Sequence, residues 1–234
     1  MIIDECHRVP ATTFKNIVDI SKARYKIGLS GTLRRKDHKH VLIFDYISKK
    51  VYKPAVENTM NPEIVVVKTG FKLKTGNNVP WATKMNILSS NPNYKDFVTD
   101  MARIQAEKGH KVLVVSDRVE FLETCADVMD NFQCIAGATT KDKVDLVNYD
   151  GIFGSGKIFS EGINEPPLSS LIMAYPINNR AVLEQLIGRI ERPFEGKMQP
   201  EAIDIALEGR TAKTQLAQRI NYYTDKGYKI RYVG

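Results

Sequence analysis

Two adjacent carboxylates, Asp4 and Glu5, follow the apolar run Met1-Ile2-Ile3 and precede Cys6 and His7. An apolar run of this kind predicts a buried strand, and open parallel sheets bind ligands beyond the carboxyl ends of their strands. An acidic pair at such an end can divide its work, one carboxylate holding Mg²⁺ while its neighbour orients an attacking water. Capping of the following helix is the structural alternative for the same two residues. About twenty residues later a second apolar run ends in Gly28-Leu29-Ser30-Gly31-Thr32, whose hydroxyls can take hydrogen bonds at a strand end close to the first. Gln185, Arg189 and Arg192 form a third set. Their spacing of four and three places them on one face of a helix, with Leu183, Leu186, Ile187 and Ile190 on the opposite side. Asn178 or Asn179 is placed to cap that helix and Pro193 to stop it. By itself this set reads more often as a solvated face.

The elements that must hold these groups follow from hydrophobic periodicity. Short apolar runs predict strands over residues 1–4, 25–29, 63–68, 111–116, 132–136, 151–154, 170–174 and 202–207. Helical spacing predicts helices over 11–20, 94–108, 119–130, 141–148, 179–192 and 212–226. The alternation is that of a parallel α/β sheet. Pro54, Pro62, Gly70, the stretch from Gly76 to Pro80, and Pro92 punctuate a region of weak periodicity, which is where a domain junction is expected. Residues 1–53 offer too few elements to bury a parallel sheet on both faces and read as the tail of a first domain. Residues 54–92 read as a linker with the first strand of a second domain, and 93–234 as the rest of that domain.

Composition narrows the function classes. With 43% hydrophobic residues in 234, the chain can build a proper core. Three cysteines, Cys6, Cys125 and Cys134, contain no Cys-x-x-Cys pair and argue against a disulfide framework or zinc ribbon, predicting reduced thiols in the cytoplasm. No apolar run approaches the roughly 20 residues of a membrane helix, so no membrane partner is expected. Of the net charge of +7, +6 falls within the first 60 residues. Its densest part, from Arg34 to His40, reads as a phosphate-backbone contact or as a solvated loop.

The three motifs together, in this order and spacing, make the chain resemble the superfamily 2 helicases, in the branch containing XPB- and UvsW-type enzymes. Asp4 to His7 looks like motif II, Ser30-Gly31-Thr32 like motif III, Val112 to Arg118 like motif IV, Phe159 to Asn164 like motif V, and Gln185 to Arg192 like motif VI. The resemblance spans essentially the whole chain but only the later part of a helicase core. It implies a RecA-like parallel-sheet second domain preceded by the C-terminal fragment of a first RecA-like domain.

The resemblance also implies roles. Asp4 would hold Mg²⁺ through water, Glu5 would be the catalytic base, and His7 with Gln185 would couple the ATP and nucleic-acid sites, with Ser30 and Thr32 transmitting that coupling. Arg189 and Arg192 would serve as arginine fingers from the second domain, and Gly162 and Asn164 would border the nucleotide. Arg34, Arg35, Lys36, Ser116, Arg118 and Ser160 would meet the nucleic-acid strand. The implied function is ATP-dependent helicase or translocase action on branched, single-stranded or duplex DNA, with RNA as the alternative substrate, in repair, recombination or replication within a phage-infected cell. The motif that carries the phosphate-binding lysine is expected upstream of Asp4. The chain alone is therefore expected to be inactive, needing an N-terminal helicase half in cis or in trans. A different class of reading is a non-catalytic nucleic-acid-binding module derived from a helicase.

A second stretch, Gly151-Ile152-Phe153-Gly154-Ser155-Gly156-Lys157, nearly satisfies the phosphate-loop pattern. Ile158 stands where a Ser or Thr hydroxyl is needed for Mg²⁺, and the stretch follows the acidic motif instead of preceding it. It is read here as the strand and loop of motif V.

Overall fold

The computed structural model describes residues 1–4, 6, 12–30, 41–52, 59–73, 79–136, 144–160 and 165–234, the side chains of 12–15, 157 and 160 excepted. The chain divides into two compact units, Met1–Glu57 and Asn58–Gly234.

In the first unit β1 (Ile2–Ile3) pairs in parallel with β2 (Ile27–Gly28), joined through α1 (Thr12–Ile20) and followed by α2 (Val41–Tyr46). Side chains alternate across a strand. Ile3 therefore turns into a small core with Cys6, Val18 and Ile43, while Ile2, Tyr25, Ile27 and Leu29 stand exposed. Gly28 is required by close packing, since a Cβ there would lie 2.9 Å from Cys6 Sγ and 3.0 Å from Ile47 Cδ1. The small Cys6 side chain suits this crowded strand end.

The second unit is built on seven parallel strands in the order β5-β6-β4-β7-β8-β3-β9. They are β3 (Glu63–Lys72), β4 (Lys111–Ser116), β5 (Phe132–Ile135), β6 (Gly151–Ser155), β7 (Leu168–Met173), β8 (Glu201–Glu208) and β9 (Lys229–Val233). The middle stretches of the inner strands are largely apolar because both faces are covered. Along β4, Val112 and Val114 enter one core and Leu113 and Val115 the other. The first core is closed by α3 (Trp81–Ser89), α4 (Pro92–Glu107) and α5 (Val119–Ala126), through Met85, Leu88, Tyr94, Val98, Phe121 and Leu122. The second is closed by α6 (Gly156–Ser160), α7 (Arg180–Ile190) and α8 (Arg210–Asp225), through Phe159, Leu186, Ile187 and Tyr223.

All eight predicted strands are present, within two residues at each end except the longer β3. The helix expected over 119–130 stops at Ala126, α2 and α6 form where no helix was expected, and two further expectations change. The helix expected over 141–148 is, in its described part, a set of turns: the Asp145 carboxylate accepts the amides of Val147 and Asn148 and so offers the backbone an alternative to helical bonding. In the region of weak periodicity, α3 forms between Pro80 and Pro92 and buries Met85 and Leu88.

Candidate functional site

In the first unit the carboxyl ends of two strands lie side by side. The Leu29 amide donates to Ile3 O at 2.8 Å, and the Cys6 amide donates to Leu29 O at 2.9 Å. Asp4, exposed, and Ser30, half-buried, therefore leave the same edge of one small parallel sheet although 26 positions separate them. Glu5, His7, Thr32, Arg34, Arg35 and Lys36 lie outside the described residues, as do Gly162 and Asn164 in the second unit.

In the second unit α7 carries Gln185 and Arg189. Asn179 caps it, its side chain accepting the Ala181 amide at 3.1 Å. Leu183, Leu186, Ile187 and Ile190 are buried, while Gln185, Arg189 and Arg192 are half-buried. Arg192 falls two residues past the last helical residue, after Glu191 in the C-cap position. Arg189 Nε donates to the carbonyl of Phe159 at 2.9 Å, tying α7 to α6. The Phe159 ring fills the space above Gly154, where any Cβ would overlap it, and Gly151 is packed in the same way against Phe132. The glycines of the stretch from Gly151 to Lys157 thus make room for aromatic rings. Strand β6 runs directly into α6 with no intervening loop to cradle a phosphate.

At the end of β4, Ser116 is buried and its hydroxyl accepts the Arg118 amide at 3.2 Å. Arg118 reaches Ala82 O with Nη2 at 3.2 Å and lies 3.7 Å from the Asp117 carboxylate. Burial pushes the Asp117 carboxyl above its usual range, opposed by Arg118. Arg118 also borders a hollow of about 240 Å³ with Lys95, Ser89, Ser90 and Asn86.

Residues that the sequence did not single out fix the end of α7. The Glu191 carbonyl accepts the Met60 amide at 2.8 Å, and its carboxylate accepts the Tyr228 hydroxyl at 2.7 Å. Lys197 Nζ donates to Arg192 O at 2.6 Å and to Pro166 O at 3.0 Å. The only sequence signal for this arrangement is Gly196, which takes φ +73° in the turn before Lys197.

Residues 1–35 match the family described as Type III restriction enzyme, res subunit. Over 244 aligned residues the chain is 37% identical to the Probable helicase D10 of Escherichia phage T5, covering 98% of this chain and 53% of that protein. The chain is homologous to superfamily 2 helicases. It is also 22% identical to the general transcription and DNA repair factor IIH helicase/translocase subunit XPB of Dictyostelium discoideum, over 100% of this chain and 32% of that one. The crystal structure of T4 UvsW superposes with a TM-score of 0.59 at 16% identity, over 100% of this chain and 53% of the other, a likeness of fold. The chain spans about half the length of its first two curated relatives.

Homology to these helicases implies use of ATP, generally accompanied by Mg²⁺, and each unit by itself offers donors of the right chemistry. Asp4 presents one exposed carboxylate at a strand end, and Mg²⁺ is commonly held by one or two carboxylates together with substrate phosphates. The half-buried guanidinium groups of Arg189 and Arg192 match phosphate oxygens in charge and geometry. Among the described residues no helix is long and apolar enough to cross a membrane.

Proposed function

We propose that this chain supplies the acidic strand end and the arginine helix of an ATP-dependent helicase or translocase acting on branched, single-stranded or duplex DNA. The observation that carries this reading is the side-by-side exit of Asp4 and Ser30 from paired parallel strands. An acidic residue and a hydroxyl residue far apart in sequence are thereby gathered at the edge where parallel sheets bind ligands.

ATP, when bound, supplies the phosphoanhydride to be hydrolysed, and Mg²⁺ offsets its charge. On this chain Asp4 would hold Mg²⁺ through water, and Glu5 would take the proton of the attacking water. Arg189 and Arg192 would offset the developing negative charge, a contribution of ~10³ to 10⁵ in rate for fingers of this kind. Gly162 and Asn164 would border the nucleotide. His7, Gln185, Ser30 and Thr32 would relay its state to the strand contacts at Arg34, Arg35, Lys36, Ser116, Arg118 and Ser160. Such contacts go to phosphates and carry no base information, so the substrate is chosen by structure.

We read residues 1–53 as the C-terminal part of a first RecA-like domain, 54–92 as linker and first strand, and 93–234 as the second. The exposed Ile2, Tyr25, Ile27 and Leu29 support that reading, because parallel sheets ordinarily have both faces covered. The cover is an N-terminal helicase half bearing the phosphate loop, in cis or in trans, and the setting is the cytoplasm of a phage-infected cell.

The test is DNA-stimulated ATP hydrolysis by this chain, alone and with the polypeptide encoded directly upstream. Activity confined to the combination, and lost in Glu5→Gln and Arg192→Ala, is the expected result. DNA binding that is indifferent to ATP in the combination would instead establish a non-catalytic binding module.

A further inference from the structure

The segment after α7 is short, lacks regular structure and carries Arg192, yet it is fastened at successive residues. Glu191 is held twice, by the Met60 amide through its carbonyl and by the Tyr228 hydroxyl through its carboxylate. Arg192 is held through its own carbonyl by Lys197 Nζ at 2.6 Å, and the same ammonium donates to Pro166 O at 3.0 Å. Pro166 follows the motif V stretch and Arg192 ends motif VI, so one lysine joins the trailing ends of both. The turn that returns Lys197 to Arg192 is closed by the Lys197 amide donating to Phe194 O at 3.2 Å, with Gly196 in the left-handed region at φ +73°. A lysine in a solvated loop would leave its ammonium in water; this one is half-buried and spends it on two backbone carbonyls.

We propose that Lys197 is a positioning residue for Arg192, fixing the backbone from which its guanidinium reaches the nucleotide. This rests on the reading of Arg192 as an arginine finger. The leverage is geometric, because misplacing a charge-stabilising group by about 1 Å can cost on the order of a hundredfold in rate. Desolvation, and secondarily the Arg192 charge, push the Lys197 ammonium down from its ordinary 10.5 to about 8. Lys197 is thus half-protonated near pH 8 and fully charged only well below it, and as pH rises through that value it loses its proton and its charge-assisted bonds weaken. A guanidinium in its place stays charged throughout this range.

Two measurements test the proposal. The first needs no nucleotide: amide hydrogen exchange of the 234-residue chain, with Lys197→Met expected to speed exchange across residues 191–198 and leave residues 183–190 of α7 unchanged. Unchanged exchange across 191–198 overturns the proposal. The second is steady-state ATP hydrolysis by this chain combined with its upstream half. Lys197→Met is expected to lower kcat about tenfold to a hundredfold with KM for ATP moving less than about twofold. Lys197→Arg is expected to restore kcat to within about threefold and to remove the fall expected of the wild type as pH rises through about 8. Wild-type kcat in Lys197→Met, with Arg192→Ala inactive, overturns the role of Lys197 and leaves the finger reading intact. Wild-type turnover in Arg192→Ala overturns the finger reading itself. Should Lys197→Met fail to fold, the pH profiles of wild type and Lys197→Arg decide, identical alkaline limbs overturning the proposal.

Discussion

Arg219 grips Asp204 with two hydrogen bonds, Nε to Oδ2 at 2.7 Å and Nη2 to Oδ1 at 2.8 Å, with both side chains almost wholly buried between α8 and β8. The Tyr223 hydroxyl adds a third bond to Asp204 Oδ2 at 2.8 Å. Removing one member of such a pair strands a charge, whereas replacing both with apolar groups of similar volume can be neutral. Arg219→Met is therefore expected to cost about 3–5 kcal/mol in urea unfolding, and Asp204→Leu combined with Arg219→Met to recover most of that loss. Tyr223→Phe should cost about 1.5–3 kcal/mol, since its bond is to a charged group.

Gly154 offers a prediction in which packing and site are linked. A methyl at this position overlaps the Phe159 ring, so Gly154→Ala must displace a fully buried aromatic side chain. Overpacking of this kind costs about 1–3 kcal/mol. Because Phe159 also offers its carbonyl to Arg189, the substitution should lower both the thermal midpoint and the hydrolysis rate of the complete core. Phe159→Leu in the same chain should return part of the lost stability by making room for the methyl.

His110 predicts an acid limb to stability. Burial depresses its imidazole below the ordinary 6.5, and Nδ1 lies 3.1 Å from the Ser169 hydroxyl. The folded state prefers the neutral ring, so its contribution is fully present above pH 6.5 and is lost as pH falls through the lower folded value. Urea midpoints measured at pH 7.5 and 5.5 should differ more for the wild type than for His110→Gln.

Asn179→Ala removes the side-chain acceptor at the start of α7 and should cost about 1 kcal/mol in unfolding experiments. Asn179→Asp should keep that stability, because a carboxylate accepts the same amide and suits the positive end of the helix.

The strands and the arginine helix were legible because their physics is local. Residues 112–115 form an unbroken apolar run that is buried on both faces, and α7 shows its apolar side at fixed helical spacing. The junction of the strand ends was legible too, since two apolar runs stopping at an acidic and a hydroxyl residue already suggest neighbouring strands. Helix α3 was hidden because few of its positions are buried and prolines flank it, so its inward signal rests on Met85 and Leu88 with the half-buried Trp81. The turns around Asp145 depend on a side chain bonding to backbone two and three residues ahead, which periodicity does not register. Lys197 could not be found from sequence, because a lysine beside a glycine looks solvated until the loop brings it to Arg192 and Pro166.

The strand order also sets a timetable for assembly. Strand β3, the earliest of the seven in sequence, lies between β8 and β9, so both of its neighbours come from the final 34 residues of the chain. Its register with β8 closes a loop of about 130 residues, and long-range parallel pairings of this kind fold slowly. During synthesis β3 must wait, its edges unpaired and open to other chains, until residues 201–233 are made. For this protein the hazard of aggregation falls in that interval, and premature termination anywhere before residue 201 makes it permanent.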